Sequence, residues 1–190
     1  MNKPIDITNV VITTPRLTLR PFRDSDLQDF HEYAKVDGVG QMAGWLPHKD
    51  IEESKRILQM FIREKKTFAL ELDDKVIGSL GVDFYNEKDY PEFDSLLGRE
   101  IGYVLSKDHW GQGLMPEAVE AVVRYLFEAE KLDFLICGHF ERNTRSRRVI
   151  EKCGFRYIRT VDFTTEYNTQ DKSIEYILWN PERRSGHADA

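Results

Sequence analysis

Cysteine is scarce in this chain of 190 residues, which contains only Cys137 and Cys153. The two residues form no metal-type cluster, so the sequence predicts no metal site. Cys137 ends a short apolar run, and Cys153 precedes a glycine. We interpret both as buried structural thiols, because no arrangement typical of a cysteine nucleophile surrounds either of them.

Long hydrophobic runs and an excess of positive charge are also absent. No window is apolar enough for a membrane span, and the first residues lack the apolar run of a signal peptide. The 27 Lys and Arg residues against 33 Asp and Glu residues give a net charge of −6. A binder of nucleic acid or anionic membranes would need a basic surface, so we expect neither partner. These features predict a cytoplasmic protein.

The length and composition fit one folded domain. The chain is 41% hydrophobic and 32% charged, as globular proteins are, and it is long enough to bury a core. It contains no recognisable repeat or domain linker. We expect a single domain over residues 1–180 and a disordered polar tail over residues 181–190.

The most informative stretch lies between residues 97 and 127. Residues 99–105 alternate between apolar and polar types, which predicts a strand, and residues 117–127 carry the apolar spacing of a helix. Between them, Gly111 and Gly113 allow a tight turn that can approach a ligand closely. Such a loop presents unpaired backbone N–H groups, which favour an anion such as phosphate. The alternative is a plain turn, since the loop lacks both P-loop and dinucleotide signatures.

The rest of the chain predicts a mixed protein. Alternating or apolar segments predict further strands over residues 16–22, 67–72, 75–84, 134–139, 155–163 and 173–179. Helices are expected after Asp24 or Ser25, after Asp50, and over residues 143–152, where Gly154 ends the helix. The order β-α-α-β-β-β-α-β-α-β-β predicts an α/β or α+β domain with helices on the faces of one sheet.

Two local patterns in this order resemble the GCN5-related N-acetyltransferase (GNAT) family. One is Trp-Gly-Gln-Gly-Leu-Met-Pro-Glu-Ala over residues 110–118, and the other runs from Asn-Thr-Arg-Ser at residue 143 to Gly-Phe at residue 155. Both are similar to the RimJ/RimL branch of ribosomal-protein N-terminal acetyltransferases, and so are residues 16–20 and 44–48. The resemblance covers about residues 14–180.

The resemblance implies a GNAT fold and acetyl-CoA as co-substrate. The sheet would be mixed but mostly antiparallel, with about seven strands and helices on both faces. It would be splayed between the fourth and fifth strands, with a gap between residues 103–105 and 135–137. The glycine loop would cradle the pyrophosphate of CoA, and the strand before it would pair with the pantetheine arm. The residues expected to bind CoA are Tyr103, Val104, Leu105, Gly111, Gln112, Gly113, Leu114, Met115, Asn143 and Arg148.

Some of these assignments have simpler alternatives. Asn143 would serve equally well as a plain helix cap, and Arg148, like Arg147, could carry a solvated charge. The sequence also departs from the family at two positions of the loop. Trp110 stands where most members have Arg or Gln, and Met115 stands where they have Gly or Ala.

The resemblance implies Glu100 and Ser146 as the catalytic residues. Many members carry a glutamate at the position of Glu100 and use it as the general base, although an edge glutamate paired with Arg99 is the alternative. Ile150 stands where many members carry a tyrosine that acts as general acid. Ser146 is therefore the first candidate for protonating the leaving thiolate, with a water or another hydroxyl as the alternative.

The acceptor side is less informative. Trp45 and His48 could line an acceptor slot, although a tryptophan in such a position is more often a packing residue. The acidic residues of the loop over residues 86–96 could attract a cationic acceptor or remain solvated surface.

We interpret the sequence as an N-acetyltransferase that moves acetyl to a primary amine by direct attack. A protein N-terminal amine is the expected acceptor, and an aminoglycoside, polyamine or amino-acid derivative is the alternative. A non-catalytic acyl-CoA-binding module is the rival class, and a nucleotide-phosphate enzyme is disfavoured because a P-loop lysine is missing. The oligomeric state stays open, with a homodimer as one alternative.

Overall fold

Eight strands form one sheet in the computed structural model, which describes residues 1–165 and 167–183. The strands are β1 (Ile12–Thr13), β2 (Thr18–Pro21), β3 (Thr67–Leu72), β4 (Lys75–Asp83), β5 (Gly98–Leu105), β6 (Phe134–Phe140), β7 (Arg156–Thr164) and β8 (Gln170–Trp179). Their spatial order is β1-β2-β3-β4-β5-β6-β8-β7. Only the β5–β6 pair is parallel among these neighbours, so the predicted mixed and mostly antiparallel sheet is confirmed. The eighth strand is the short β1, in a segment without a predicted strand.

Four α-helices cover the two faces of the sheet in the described part of the chain. They are α1 (Leu27–Ala34), α2 (Ile51–Glu64), α3 (Leu114–Glu128) and α4 (Thr144–Lys152). Side chains that alternate along β3 separate the faces: Phe68 and Leu70 join the core under α3 and α4, whereas Ala69 joins the core under α1 and α2. The predicted cap of α2 is confirmed, because the Asp50 carboxylate accepts a 2.8 Å hydrogen bond from the Glu53 backbone N–H.

The sheet opens between β5 and β6. These strands pair only at Gly98↔Phe134, Arg99↔Leu135 and Glu100↔Ile136, and no further pair joins them within the described residues. At the closed end, Asp133 exchanges two 2.7 Å hydrogen bonds with the backbone of Leu97. The predicted splay is therefore confirmed, but it starts later on β6 than expected, since residues 135 and 136 are still paired.

The acidic loop over residues 86–96 covers part of the sheet. Tyr90 is only 3% exposed and packs with Tyr85, Phe134 and Ile136 in a third apolar cluster. The acidic residues of the loop therefore surround a packed aromatic cluster, so the segment is less exposed to solvent than a purely acidic loop would be.

Both chain ends contact the rest of the fold. Ile5 and Ile7 are buried, so the segment before β1 contributes to the core. Residues 181–183 form a turn, and Arg183 Nη1 lies 2.8 Å from Asp133 Oδ1. The remainder of the predicted tail, residues 184–190, lies outside the described residues.

A buried ion pair joins the sheet to the start of α1. Arg20 on β2 and Asp26 are each 5% exposed, and the guanidinium donates two hydrogen bonds of 2.8 and 2.9 Å to the carboxylate. Its Nε also donates a 2.7 Å hydrogen bond to Glu71 on β3. Hydrogen bonds to Asp26 raise the pKa of Arg20 further above its usual value, so the pair stays charged.

We expect Asp26→Ala to lower the free energy of unfolding by about 3 kcal/mol, because it leaves a buried guanidinium short of a counter-charge. Urea unfolding measures the change. Glu32→Ala is the control, since it removes the partner of Lys75 at the surface and should leave the stability unchanged within error. Equal effects of the two substitutions would contradict the structural role of the buried pair.

Candidate active site

The opening between β5 and β6 leads into a cavity of about 480 Å³. Residues from β5, the glycine loop, β6, α4, the loop after α1 and the β7–β8 hairpin line it. The structure brings most of the predicted site residues together here: Glu100, Tyr103, Val104, Leu105, Gly111, Gly113, Leu114, Met115, Asn143, Ser146 and Arg148. Gln112, Trp45 and His48 do not line the cavity.

The glycine loop adopts the backbone that its sequence predicted. Gly111 and Gly113 both have φ of +77°, in the left-handed region that favours glycine. Within the described residues, none of the backbone N–H groups of residues 111–115 donates a hydrogen bond. These donors lie at the N-terminus of α3, where the helix dipole also favours negative charge. The loop is therefore able to bind a phosphate group.

Arg16 and Glu117 brace this loop from outside. Arg16 Nη1 donates a 2.8 Å hydrogen bond to the Gln112 carbonyl, and its Nε donates a 2.7 Å hydrogen bond to Glu117 on α3. Thr14 Oγ1 donates to the same carboxylate at 2.6 Å. Gln112 thus belongs to the loop through its backbone, whereas its side chain donates to the Asp108 carbonyl at 3.0 Å.

Glu100 lies where the two strands separate. Its side chain is half-buried, and its carboxylate forms no hydrogen bond or ion pair within the described residues. Arg99 is not its partner, because that guanidinium lies 4.0 Å from the ring centre of Phe84. Burial, followed by the nearby charges of Glu175 and Asp83, raises the pKa of Glu100 to about 7. A carboxyl group with this pKa can accept and release a proton near neutral pH.

Ser146 and Tyr103 join the two walls of the cleft. The hydroxyl groups of Ser146 on α4 and Tyr103 on β5 lie 2.9 Å apart, within hydrogen-bond distance. Burial raises the pKa of Tyr103 well above its usual value, so the phenol keeps its proton. Ile150 is buried in the core and offers no proton. The pair therefore supplies the hydroxyl protons on this side of the cleft.

Asn143 begins α4 and also holds the loop after α1. Its Oδ1 accepts a hydrogen bond of 3.2 Å from the Ser146 backbone N–H, which caps the helix. Its Nδ2 donates a hydrogen bond of 3.2 Å to the Met42 carbonyl. The cap alternative is thus present in the structure, and the side chain still lines the cavity.

Basic side chains surround the outer part of the cleft. Arg148 is exposed and lines the cavity, whereas Arg147 pairs with Glu151 at 2.7 Å and does not. Arg145 lies 4.7 Å from the ring centre of Trp110, whose indole N–H donates a 2.8 Å hydrogen bond to the Leu105 carbonyl. The uncommon Trp110 thus braces the open strand and holds a cation beside it.

Trp45 and His48 pack against each other in the connection between α1 and α2. Their rings lie 5.2 Å apart, and His48 also contacts Phe30 and accepts or donates a 2.8 Å hydrogen bond with Ser54. His48 is 9% exposed. Trp45 therefore packs as its alternative interpretation expects, and neither ring lines the cavity between β5 and β6.

Sequence reasoning missed several residues that line the cavity. They are Val39, Met42, Ala43, Arg145, Gly138, His139, Phe140, Phe163 and Ser173. The apolar character of the loop around Val39 and Met42 was the only sequence feature that pointed to any of these residues. The aromatic residues looked like ordinary strand residues, and only the pairing of β6, β8 and β7 brings them to the site.

Cys137 also borders the cavity, but it is 1% exposed. Burial, with a contribution from Glu100, raises the pKa of its thiol well above the usual value. A buried neutral thiol is a poor nucleophile, in agreement with the structural interpretation. Within residues 1–165 and 167–183, no three His, Cys, Asp or Glu side chains are placed to hold a metal ion. No helix in this part of the chain has the length and apolar character to cross a membrane.

Comparisons with known proteins all point to one family. The model of the acetyltransferase (GNAT) domain family matches residues 16–156. A Bacillus licheniformis relative named Uncharacterized N-acetyltransferase p20 is 26% identical over 151 residues, which cover 75% of this chain and 80% of the relative.

Solved structures agree with this match. A GNAT-family acetyltransferase from Bacillus anthracis has a TM-score of 0.78 at 23% identity, covering 90% of this chain and 99% of that one. Mycobacterium smegmatis RimJ in complex with CoA-disulfide has a TM-score of 0.71 at 19% identity, covering 91% and 87%. At such identities, the likeness shows the fold.

We expect the raised pKa of Glu100 to make the folded chain less stable as pH rises. The pKa is about 7 in the folded chain against a usual value of 4.5, so between these values the folded chain holds a proton that the unfolded chain has lost. Glu100→Gln should therefore be more stable than wild type at pH 8, by about 2–3 kcal/mol, and equally stable at pH 4.

Urea unfolding at both pH values measures this difference. Glu151→Gln, at an exposed position on α4, controls for the loss of one negative charge. A Glu100→Gln protein that is no more stable than wild type at pH 8 would show that the carboxylate is well solvated.

Proposed function

This chain belongs to the acetyltransferase (GNAT) domain family, whose members use acetyl-CoA, and we propose that it acetylates a primary amine in the cleft between β5 and β6. The donor is acetyl-CoA, with its pyrophosphate at the amides of residues 111–115 and its pantetheine arm along residues 103–105 of β5. Asn143 and Arg148 bind the same molecule from α4. The location is cytoplasmic.

One observation carries the catalytic part of this proposal. The Glu100 carboxylate, which has no partner among the described residues, lies at the point where strand pairing ends and an open strand edge begins. The open edge offers backbone groups to a thioester substrate, and the carboxylate beside it has a pKa of about 7. A non-catalytic binding module would need the open edge but would gain nothing from a destabilised carboxylate.

The chemistry follows from these positions. Glu100, directly or through a water, accepts the proton of the amine as its nitrogen attacks the thioester carbon. The backbone N–H of Val104 or Leu105 stabilises the negative charge that develops on the thioester oxygen. As the C–N bond forms and the C–S bond breaks, Ser146 donates a proton to the leaving sulfur and regains one from solvent, while the Tyr103 phenol keeps its proton and holds the Ser146 hydroxyl in place through their 2.9 Å hydrogen bond. No covalent enzyme intermediate is needed.

A protein N-terminal amine is the acceptor that we propose. The RimJ/RimL-type motifs support this choice, and so does the structural likeness to RimJ from Mycobacterium smegmatis. A small-molecule amine is the alternative, because a fold does not determine the substrate that its site accepts.

Thiol release from acetyl-CoA in the presence of a panel of amines tests the reaction. Glu100→Gln should lower kcat/KM by about 10²–10⁴-fold, because the amine proton loses its acceptor. Ser146→Ala should lower kcat by about 10-fold or more with a smaller change in KM for acetyl-CoA. In wild type, kcat/KM should rise with pH to a plateau above about 7.

Glu151→Gln is the control for both variants, since Glu151 does not line the cavity. Acetyl-CoA binding without turnover of any amine would support a binding module instead. Full activity of Glu100→Gln would exclude this residue as the base.

The glycine loop gives a separate test of donor binding. Gly113→Ala should weaken acetyl-CoA binding by about tenfold, because a Cβ at φ +77° forces the loop amides to reorient. Gly154→Ala is a matched control: it places a Cβ at φ +85° at the end of α4, outside the cavity. Calorimetric titration should show weaker binding only for Gly113→Ala, and equal affinities of the two variants would argue against the loop as the phosphate site.

A further inference from the structure

The acceptor half of the cleft lies on the face of the sheet that carries α1 and α2. Glu100 pairs with Ile136 on β6, and side chains alternate along a strand, so Gly138 and Phe140 lie on the same face as Glu100. Ser173 on β8 pairs with Phe140 and shares this face. A Cβ on Gly138 would lie 3.1 Å from Ser173 Oγ. Because Gly138 has no side chain, the space beside Glu100 stays open.

Aromatic and aliphatic side chains border this open space. The rings of Phe140 and Phe163 lie 5.3 Å apart, and Val39, Met42 and Ala43 line the same cavity. Gly44 brings the loop onto both rings, since a Cβ there would lie 3.4 Å from Phe140 and 3.6 Å from Phe163. Phe163 remains 41% exposed. An exposed ring in a catalytic cleft is a surface that an apolar group can cover.

Negative charge in the cleft is limited to one group. Glu100 is the only Asp or Glu among the described residues that line the cavity. Glu175 accepts a 2.7 Å hydrogen bond from Arg159, and Asp171 accepts one of 2.6 Å from Arg142, so each of these neighbours is already paired with a cation. The acidic residues of the loop over residues 86–96 do not line the cavity. A polyamine or aminoglycoside would bring several ammonium groups to a single carboxylate.

We propose that the acceptor is a monoamine that carries an apolar, ring-sized group next to its amine. Glu100 receives the amine, and Phe140, Phe163 and Met42 cover the apolar group. The inference rests on the proposed function and specifies its substrate class. The same chemistry occurs at a protein N-terminus with a large apolar first residue and in a small aromatic monoamine.

Thiol release with a matched acceptor panel tests the inference. The panel contains peptides of one common sequence that begin with Phe, Leu, Ala, Ser or Lys, together with phenethylamine and spermidine. We expect kcat/KM to be at least tenfold higher for the Phe- or Leu-first peptides, or for phenethylamine, than for the Ala-first peptide and spermidine. Preference for the peptides identifies a protein N-terminus, and preference for phenethylamine identifies a small molecule.

Phe163→Ala gives the residue-level test, because Phe163 is exposed enough to be replaced without removing core packing. It should lower the ratio of kcat/KM for the Phe-first over the Ala-first peptide by about tenfold, and Phe163→Leu should restore most of that ratio. Tyr157→Ala is the matched control, since Tyr157 is a 59% exposed aromatic residue of the same strand outside the cavity. Calorimetric titration of each peptide into the protein saturated with CoA should give the same order of affinities without turnover.

The outcomes separate the two proposals. Preference for spermidine, for the Lys-first or for the Ala-first peptide would overturn the inference while leaving the acetyltransferase function in place. An equal loss for all acceptors in Phe163→Ala would also overturn it. Absence of thiol release with every amine, with acetyl-CoA still bound, would instead overturn the proposed function.

Discussion

The end of strand pairing after Glu100 is the constraint on which the rest of the site depends. Backbone N–H and C=O groups seek partners, so a strand edge left open over residues 101–105 is stable only if the neighbouring strand is held away. Two features hold it. The Leu97–Asp133 contacts fix one end of the opening, and β6 is committed to β8 over its whole length. The cleft thus follows from the pairing of β6, which joins β5 at only three positions and joins β8 over its whole length.

The pairing of β6 also explains how the cleft can contain both a region shielded from water and a region open to solvent. Glu100 is desolvated because it lies at the closed end of the opening, among β4, β6 and β8, where water has limited access. The glycine loop lies at the open end, where phosphate groups can be reached from solvent and basic residues gather. One strand, β5, therefore links a low-polarity region suited to proton transfer with a polar region suited to an anionic donor. The desolvated Glu100 carboxyl lowers the stability of the folded chain as pH rises from 4.5 to about 7, because the folded chain holds its proton more tightly than the unfolded chain does.

Local patterns in the sequence predicted the strands, the helices and the backbone of the glycine loop well. The glycine loop, the cap of α2 and the residues of β5 depend on short-range backbone preferences that neighbours in sequence determine. The chemistry of Trp45 and His48 suits an acceptor slot, but in the structure the two rings pack on each other and His48 contacts Phe30 and Ser54. Phe140, Phe163 and Ser173 reach the cleft through pairings between distant strands. The hydrophobic pattern of a strand cannot identify such positions, because an aromatic residue in a strand looks the same in the sequence whether it packs in the core or lines a site.

α4 carries Ile150 where many related proteins have a tyrosine, but Tyr103 on β5 brings a phenol to the same cleft. Ile150 is buried among core residues, so a hydroxyl there would need a partner that the core does not offer. Tyr103 extends from the opposite wall and brings its hydroxyl within 2.9 Å of Ser146 at the start of the same helix. The hydroxyl pair of Tyr103 and Ser146 thus joins the strand and the helix although position 150 carries no tyrosine, and the buried Ile150 does not leave this wall of the cleft without a hydroxyl group.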